Sequence, residues 1–128
     1  MNDRETTIAE LRAEVAKFVS DRDWEQFHAP KNLTMSLAIE TAELMEHFQW
    51  ISVDESRQLS GNHEKLGPIG EEIADVFCYL MALINELDID LSRTFADKMR
   101  KNAEKYPADE YRGRYGPDDS NDATSAGE

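Results

Sequence analysis

Ile8, Leu11, Val15, Phe18 and Val19 recur at helical spacing and predict an amphipathic helix over residues 8–20, with Thr7 and Glu10 as a capping box at its start. DRDWEQFHAPKN then breaks the period. Because Pro30 disfavours helical geometry in the residue before it, a loop is expected through about residue 32 and a second helix from near Leu33 to about Trp50. Ser52 and Glu55 form another capping box for a short helix that ends before Gly61, and GNHEKLGPIG reads as a connector. A third long helix is expected from about Pro68 or Ile69 to about Leu87. Asp90 can cap a fourth, through Leu91, Phe95 and Met99, that ends before Pro107. No segment alternates as a strand, so the class is all-α and the four main helices imply a four-helix bundle. The expected domain covers residues 1–107. Residues 108–128, poor in aliphatic side chains and acidic at the end, are expected to be a flexible, disordered tail.

Two helices place acids beside their apolar stripes. On the second, Leu33, Leu37, Leu44 and Phe48 make the stripe, and Ser36, Glu40, Glu43 and His47 flank it at 100° per residue. On the third, the stripe is Ile73, Val76, Leu80, Leu83, Ile84 and Leu87, flanked by Glu72, Asp75 and Tyr79, while Glu71 points away. Spacing of i and i+3 keeps each acidic pair on one helix face, so packing the two helices together converges four carboxylates. Burying such charges without a partner costs several kcal/mol. Their natural counter-charge is a hard divalent cation, and oxygen-only ligation selects magnesium or manganese over zinc. An isolated E-x-x-E is more often a solvated helix face; its recurrence on two predicted helices favours a metal site.

Charge narrows the partners. With 27 acidic against 14 basic residues the net charge is −13, which opposes binding to a nucleic-acid polymer or to an anionic membrane. The apolar run VFCYLMALI is too short for a membrane span, MNDRETTIAE has no signal-peptide apolar region, and the single cysteine, Cys78, closes no internal disulfide. A cytoplasmic protein is expected, with Cys78 acting as a small hydrophobe. Trp24, Phe27 and His28 cluster before the second helix and Trp50 ends it, which offers aromatic faces and a polar ring to a nucleobase, although tryptophans at helix ends more often plug a core or an interface. Positive charge gathers from Lys98 to Arg114, and Lys98, Asn102 and Lys105 share one region of the fourth helix, suited to phosphate or simply to a helix C-terminus. Ile39, Ala42 and Met45 make the second helix apolar on its far side as well, as in chains that associate with themselves.

E-x-x-E followed by E-x-x-D, here Glu40, Glu43, Glu72 and Asp75 with 28 residues between the pairs, resembles the pattern of the MazG-like all-α nucleotide pyrophosphohydrolases, nearest to their dCTP pyrophosphatase branch. RDWEQFHAPKNL, AELMEHFQW, EEIADVFCYLMAL and KMRKNAEKYP carry the same likeness over about residues 8–107. Ile39 stands where relatives often have glycine, and Ala103 and Glu104 replace a more basic run before Tyr106 and Pro107. The resemblance implies hydrolysis of a nucleoside triphosphate, dCTP-like or modified, to the monophosphate and pyrophosphate. It implies magnesium on Glu40, Glu43, Glu72 and Asp75 as the catalytic centre, and substrate contacts from Trp24, His28, Trp50, Tyr79, Lys98 and Asn102. It further implies a homo-oligomer, dimer or tetramer. Glu46, one turn beyond Glu43, is a weaker candidate for orienting water. The alternative is a non-enzymatic helical oligomeric interaction module whose acids only solubilise it. A ferritin-like di-iron site wants Glu-x-x-His on two helices, and only Glu25 to His28 has that spacing.

Overall fold

The computed structural model describes residues 1–114, all of whose regular elements are helical. The chain divides into two units, Met1–Ile89 and Asp90–Glu128. In the first, α1 spans Ile8–Ser20, α2 Pro30–Glu46, α3 Val53–Arg57 and α4 His63–Glu86, with 3₁₀ turns at Glu25–Phe27 and Leu59–Gly61. Both predicted capping boxes form: Thr7 closes on Glu10 and Ser52 on Glu55. In the second unit α5 spans Leu91–Lys105, where the Asp90 carboxylate accepts from the Arg93 backbone N–H at 3.0 Å. A further turn, α6 at Ala108–Tyr111, stands inside the segment expected to be a tail, with Tyr111 edge-on to Tyr106 at 5.2 Å. The rest of that expectation, from residue 115 onward, lies outside the described residues.

Three helix boundaries depart from expectation. Helix α2 begins at Pro30 rather than Leu33, because Ala29 takes the extended geometry that a following proline imposes while Pro30 itself occupies the first helical position, where no N–H is needed. It ends at Glu46 rather than Trp50: the His47 and Phe48 N–H groups reach only three residues back, to Leu44 and Met45, and residues 47–50 are turns. Helix α4 begins at His63, five residues before Pro68, so most of the supposed connector is helix. Its start is capped by the Asn62 side chain, which accepts from the Lys65 N–H at 3.2 Å. A proline inside a helix forfeits a backbone hydrogen bond and costs about 3 kcal/mol. Burial on both sides of it offsets that cost, since Ile69 on α4 and Leu59 on the preceding turn are core residues in packed elements.

Helix α4 is the spine of the first unit. It packs against α2 most extensively and against α1 as well. The core takes Val19 from α1, Leu33 from α2, Leu59 from the 3₁₀ turn, and Ile69, Met81, Ala82 and Ile84 from α4. A helix covered by two neighbours needs a wider apolar face than a single stripe, so Met81 and Ala82 are buried although the periodicity did not assign them. Two residues that it did assign, Ile73 and Leu87, are exposed, Ile73 at 52%. Cys78, expected among hydrophobes, is exposed too.

The C-terminus of α4 is fastened twice. Asp88 adopts a left-handed conformation with φ 50°, so that the Ile89 N–H reaches the Ile84 carbonyl at 3.1 Å and the Asp88 N–H the Asn85 carbonyl at 3.3 Å, a Schellman closure made without glycine. Arg12 of α1 then donates to the Ile89 carbonyl at 2.7 Å, to the Asn85 side-chain oxygen at 2.9 Å and to the Ile84 carbonyl at 3.3 Å. The Asn85 amide returns a bond to the Arg12 carbonyl at 3.1 Å. An asparagine interrupting an apolar run was the only cue to this clamp in the sequence.

Candidate functional site

The packing of α2 on α4 turns two sequence patterns into one cluster. One carboxylate oxygen from each of Glu40, Glu43 and Glu72 lies within 4.8 Å of the others. Glu40 and Glu72 are half-buried and Glu43 is exposed. Each of the two half-buried residues has one oxygen, Oε2, that is inaccessible to solvent and has no hydrogen-bond partner. Asp75, a turn beyond Glu72, is not in the group of three, but its charge reaches both Glu40 and Glu72.

Electrostatics follow from that crowding. Loss of hydration raises the pKa of Glu40 above the ordinary carboxylate value, and Glu43, Asp75 and Glu72 push it further up. Glu72 is raised in the same way, first by loss of hydration and then by Glu43 and Asp75, while His47 opposes the rise. A cluster that holds its own acids above their usual pKa, with two orphaned oxygens, is short of positive charge.

A small hard cation fits this donor set. Ligand distances of about 2.0–2.1 Å for magnesium place neighbouring oxygens about 3 Å apart and opposite ones about 4 Å apart. Three oxygens already within 4.8 Å need little movement to reach that arrangement. All the donors are carboxylate oxygens, and the two orphaned atoms would gain the partner they lack.

The other candidate residues stand in different surroundings. Tyr79 is half-buried on α4, one turn past Asp75. Trp24 precedes the first 3₁₀ turn and packs edge-on to Phe18 of α1 at 5.7 Å, and the Arg22 guanidinium lies 3.7 Å above the Phe18 ring. Backbone closure at Asp23, φ 52°, carries the Trp24 N–H back to the Val19 carbonyl at 3.1 Å. His28 lines a cavity of about 100 Å³ with Val15, Val19, Ala82 and Asn85. That cavity meets α4 roughly ten residues beyond Glu72 and Asp75, about 15 Å along the axis, so His28 does not join the acids within one chain. Trp50 lies in the turn after α2, 88% exposed, with no ring contact among the described residues. Lys98, exposed, and Asn102, half-buried, belong to α5 in the second unit. Glu46 is exposed at the end of α2.

An all-helical chain that converges E-x-x-E and E-x-x-D helices on one acidic cluster matches a sequence model of the MazG-like family over residues 35–115. The chain belongs to that family. It is 39% identical to dCTP pyrophosphatase 1 of Rattus norvegicus over 109 residues, which cover 85% of this chain and 64% of that protein. The Homo sapiens protein of the same name is 38% identical over 104 residues, 81% of this chain and 61% of that one. The chain thus spans less than two thirds of the length of these relatives. Among solved structures it resembles a pyrophosphatase from Archaeoglobus fulgidus, with a TM-score of 0.72, 38% identity, and coverage of 84% of this chain and 98% of that one.

Proposed function

We propose that the protein hydrolyses a nucleoside triphosphate, dCTP-like or a modified relative, between its α and β phosphates in a magnesium-dependent reaction. The observation that carries this reading is the cluster of Glu40, Glu43 and Glu72 with its two unpartnered oxygens, in a chain similar to proteins named dCTP pyrophosphatase. Glu40, Glu43, Glu72 and Asp75 would hold magnesium, with manganese as a substitute. When bound, such an ion neutralises phosphate charge and activates water for attack.

The residues divide the remaining work. The four carboxylates set where the α phosphate can lie, because a polyanion approaches this surface only where a cation offsets the acids. Tyr79 stands a turn from Asp75 and can orient the nucleotide across the site. Trp24, His28 and Trp50 remain the residues proposed for the base, and Lys98 and Asn102 those for the outer phosphates. Water adds to the α phosphorus as the α–β bridging bond breaks, so one triphosphate and one water yield one monophosphate and one pyrophosphate.

Self-association as a dimer or tetramer belongs to the same proposal. It is supported by the far face of α2, where Ile39 is 60% and Met45 58% exposed. No helix among the described residues is long and apolar enough to cross a membrane.

Phosphorus NMR in ¹⁸O-enriched water tests the bond choice. The expected products are monophosphate carrying the label and unlabelled pyrophosphate. Diphosphate plus orthophosphate as first products, or no turnover across a panel of natural and modified nucleotides with magnesium, would overturn the proposal and favour the interaction module.

A further inference from the structure

Helices α2 and α4 share a pattern that extends past their acids. From the first acid, each has an acid at i+3 and a side chain with a polar ring at i+7: Glu40, Glu43 and His47 on α2, and Glu72, Asp75 and Tyr79 on α4. Successive steps of 100° put His47 within about 20° of Glu40 and 40° of Glu43 around the helix, one turn or about 6 Å beyond Glu43. His47 is the C-cap of α2, is exposed, and its ring makes no side-chain hydrogen bond among the described residues. It acts across the helix pair, being the one group that lowers the pKa of Glu72 against the pull of the neighbouring acids.

The charge pattern of the two helices singles it out. No lysine or arginine occurs between Lys31 and Arg57, or between Lys65 and Arg93. Beyond their first turns, the acid-bearing helices therefore offer His47 as their only base, beside a cluster that must accept a triphosphate. A helix C-terminus accounts for a favourable histidine at that position, but not for its lying on the face of Glu40 and Glu43 rather than on any other.

We propose that His47 contacts the outgoing pyrophosphate, a ring N–H donating a hydrogen bond to a non-bridging oxygen of its charged phosphates. This rests on the proposed pyrophosphohydrolase activity and adds a substrate-contacting residue to it. The histidine supplies a donor where the acids supply none, and it stabilises the charge that collects on the leaving group as the α–β bond breaks.

The test compares wild type with His47→Leu, His47→Gln and His47→Lys. Calorimetric titration with inorganic pyrophosphate in magnesium buffer should show affinity falling about 10- to 100-fold in His47→Leu, the range for loss of a hydrogen bond to a charged group. Inhibition by the nucleoside monophosphate should change less than about twofold, since that product keeps only the α phosphate. His47→Lys should recover most of the pyrophosphate affinity and kcat/KM, and His47→Gln part of them; a merely structural cap would move neither in this order. A wild-type chain that releases no pyrophosphate from any nucleotide refutes the activity itself. An active wild type whose His47→Leu variant binds pyrophosphate unchanged refutes the role of His47 alone.

Discussion

Replacement of Trp50 by alanine separates a binding role from a packing role, and the structure sets the size of each. A tryptophan that plugs a core costs about 3–5 kcal/mol when truncated. Trp50, however, is 88% exposed. The folded chain covers only about an eighth of a surface that reaches about 250 Å², or about 30 Å², which at about 25 cal/mol per Å² is worth under about 1 kcal/mol. Truncation should therefore leave the urea midpoint of the isolated chain nearly unchanged. If the ring stacks on the nucleobase, its loss removes about 1–3 kcal/mol of binding, and KM should rise about 5- to 150-fold. Steady-state kinetics at saturating magnesium, urea melts and sizing on one preparation measure all three quantities. A variant with unchanged KM that melts several kcal/mol lower, or sizes as a smaller species, would refute the stacking role and assign Trp50 to an interface between copies.

The acid cluster makes stability depend on metal and pH. Because Glu40 and Glu72 have pKa values raised by burial and mutual repulsion, their contribution is fully present below the unfolded-state glutamate pKa and is lost as pH rises through the higher folded-state value. Thermal melts of chelated protein should show that decline, magnesium should abolish it, and Glu40→Gln should raise the melting temperature without metal while removing the response to magnesium; a variant that still responds fully would remove Glu40 from the metal site. Arg12→Ala should cost about 3–6 kcal/mol by urea melting, since two short charge-assisted bonds at about 1.5–3 kcal/mol each are lost while the longest, to Ile84, reaches a carbonyl already served by Ile89; a loss under about 0.5 kcal/mol would show that water replaces the clamp. Gly70→Ala should stabilise the isolated chain by about 0.5–1 kcal/mol, because its Cβ would meet nothing within 4 Å in a helix interior. A loss of stability that scales with protein concentration would instead mean that a second copy packs against that glycine.

Much was legible in the chain itself because it depends on neighbours three or four residues away. The helical class, the capping boxes at Thr7 and Ser52, the Asp90 cap and the shared face of each acidic pair all follow from local geometry. Where α4 begins was not read from the chain, since an internal Pro68 reads locally as a start, whereas the Asn62 cap and the burial of Ile69 and Leu59 support a helix that runs through it. Nor was the difference between the two acidic pairs. Their i, i+3 spacing is alike, but the crossing of α2 on α4 decided that Glu40, Glu43 and Glu72 share one small volume while Asp75 acts on them through charge. The same crossing buried one oxygen of Glu40 and one of Glu72, leaving them without partners. Periodicity determines which face a side chain takes; distances between faces come from packing, in which residues far apart in the chain compete for the same buried surface.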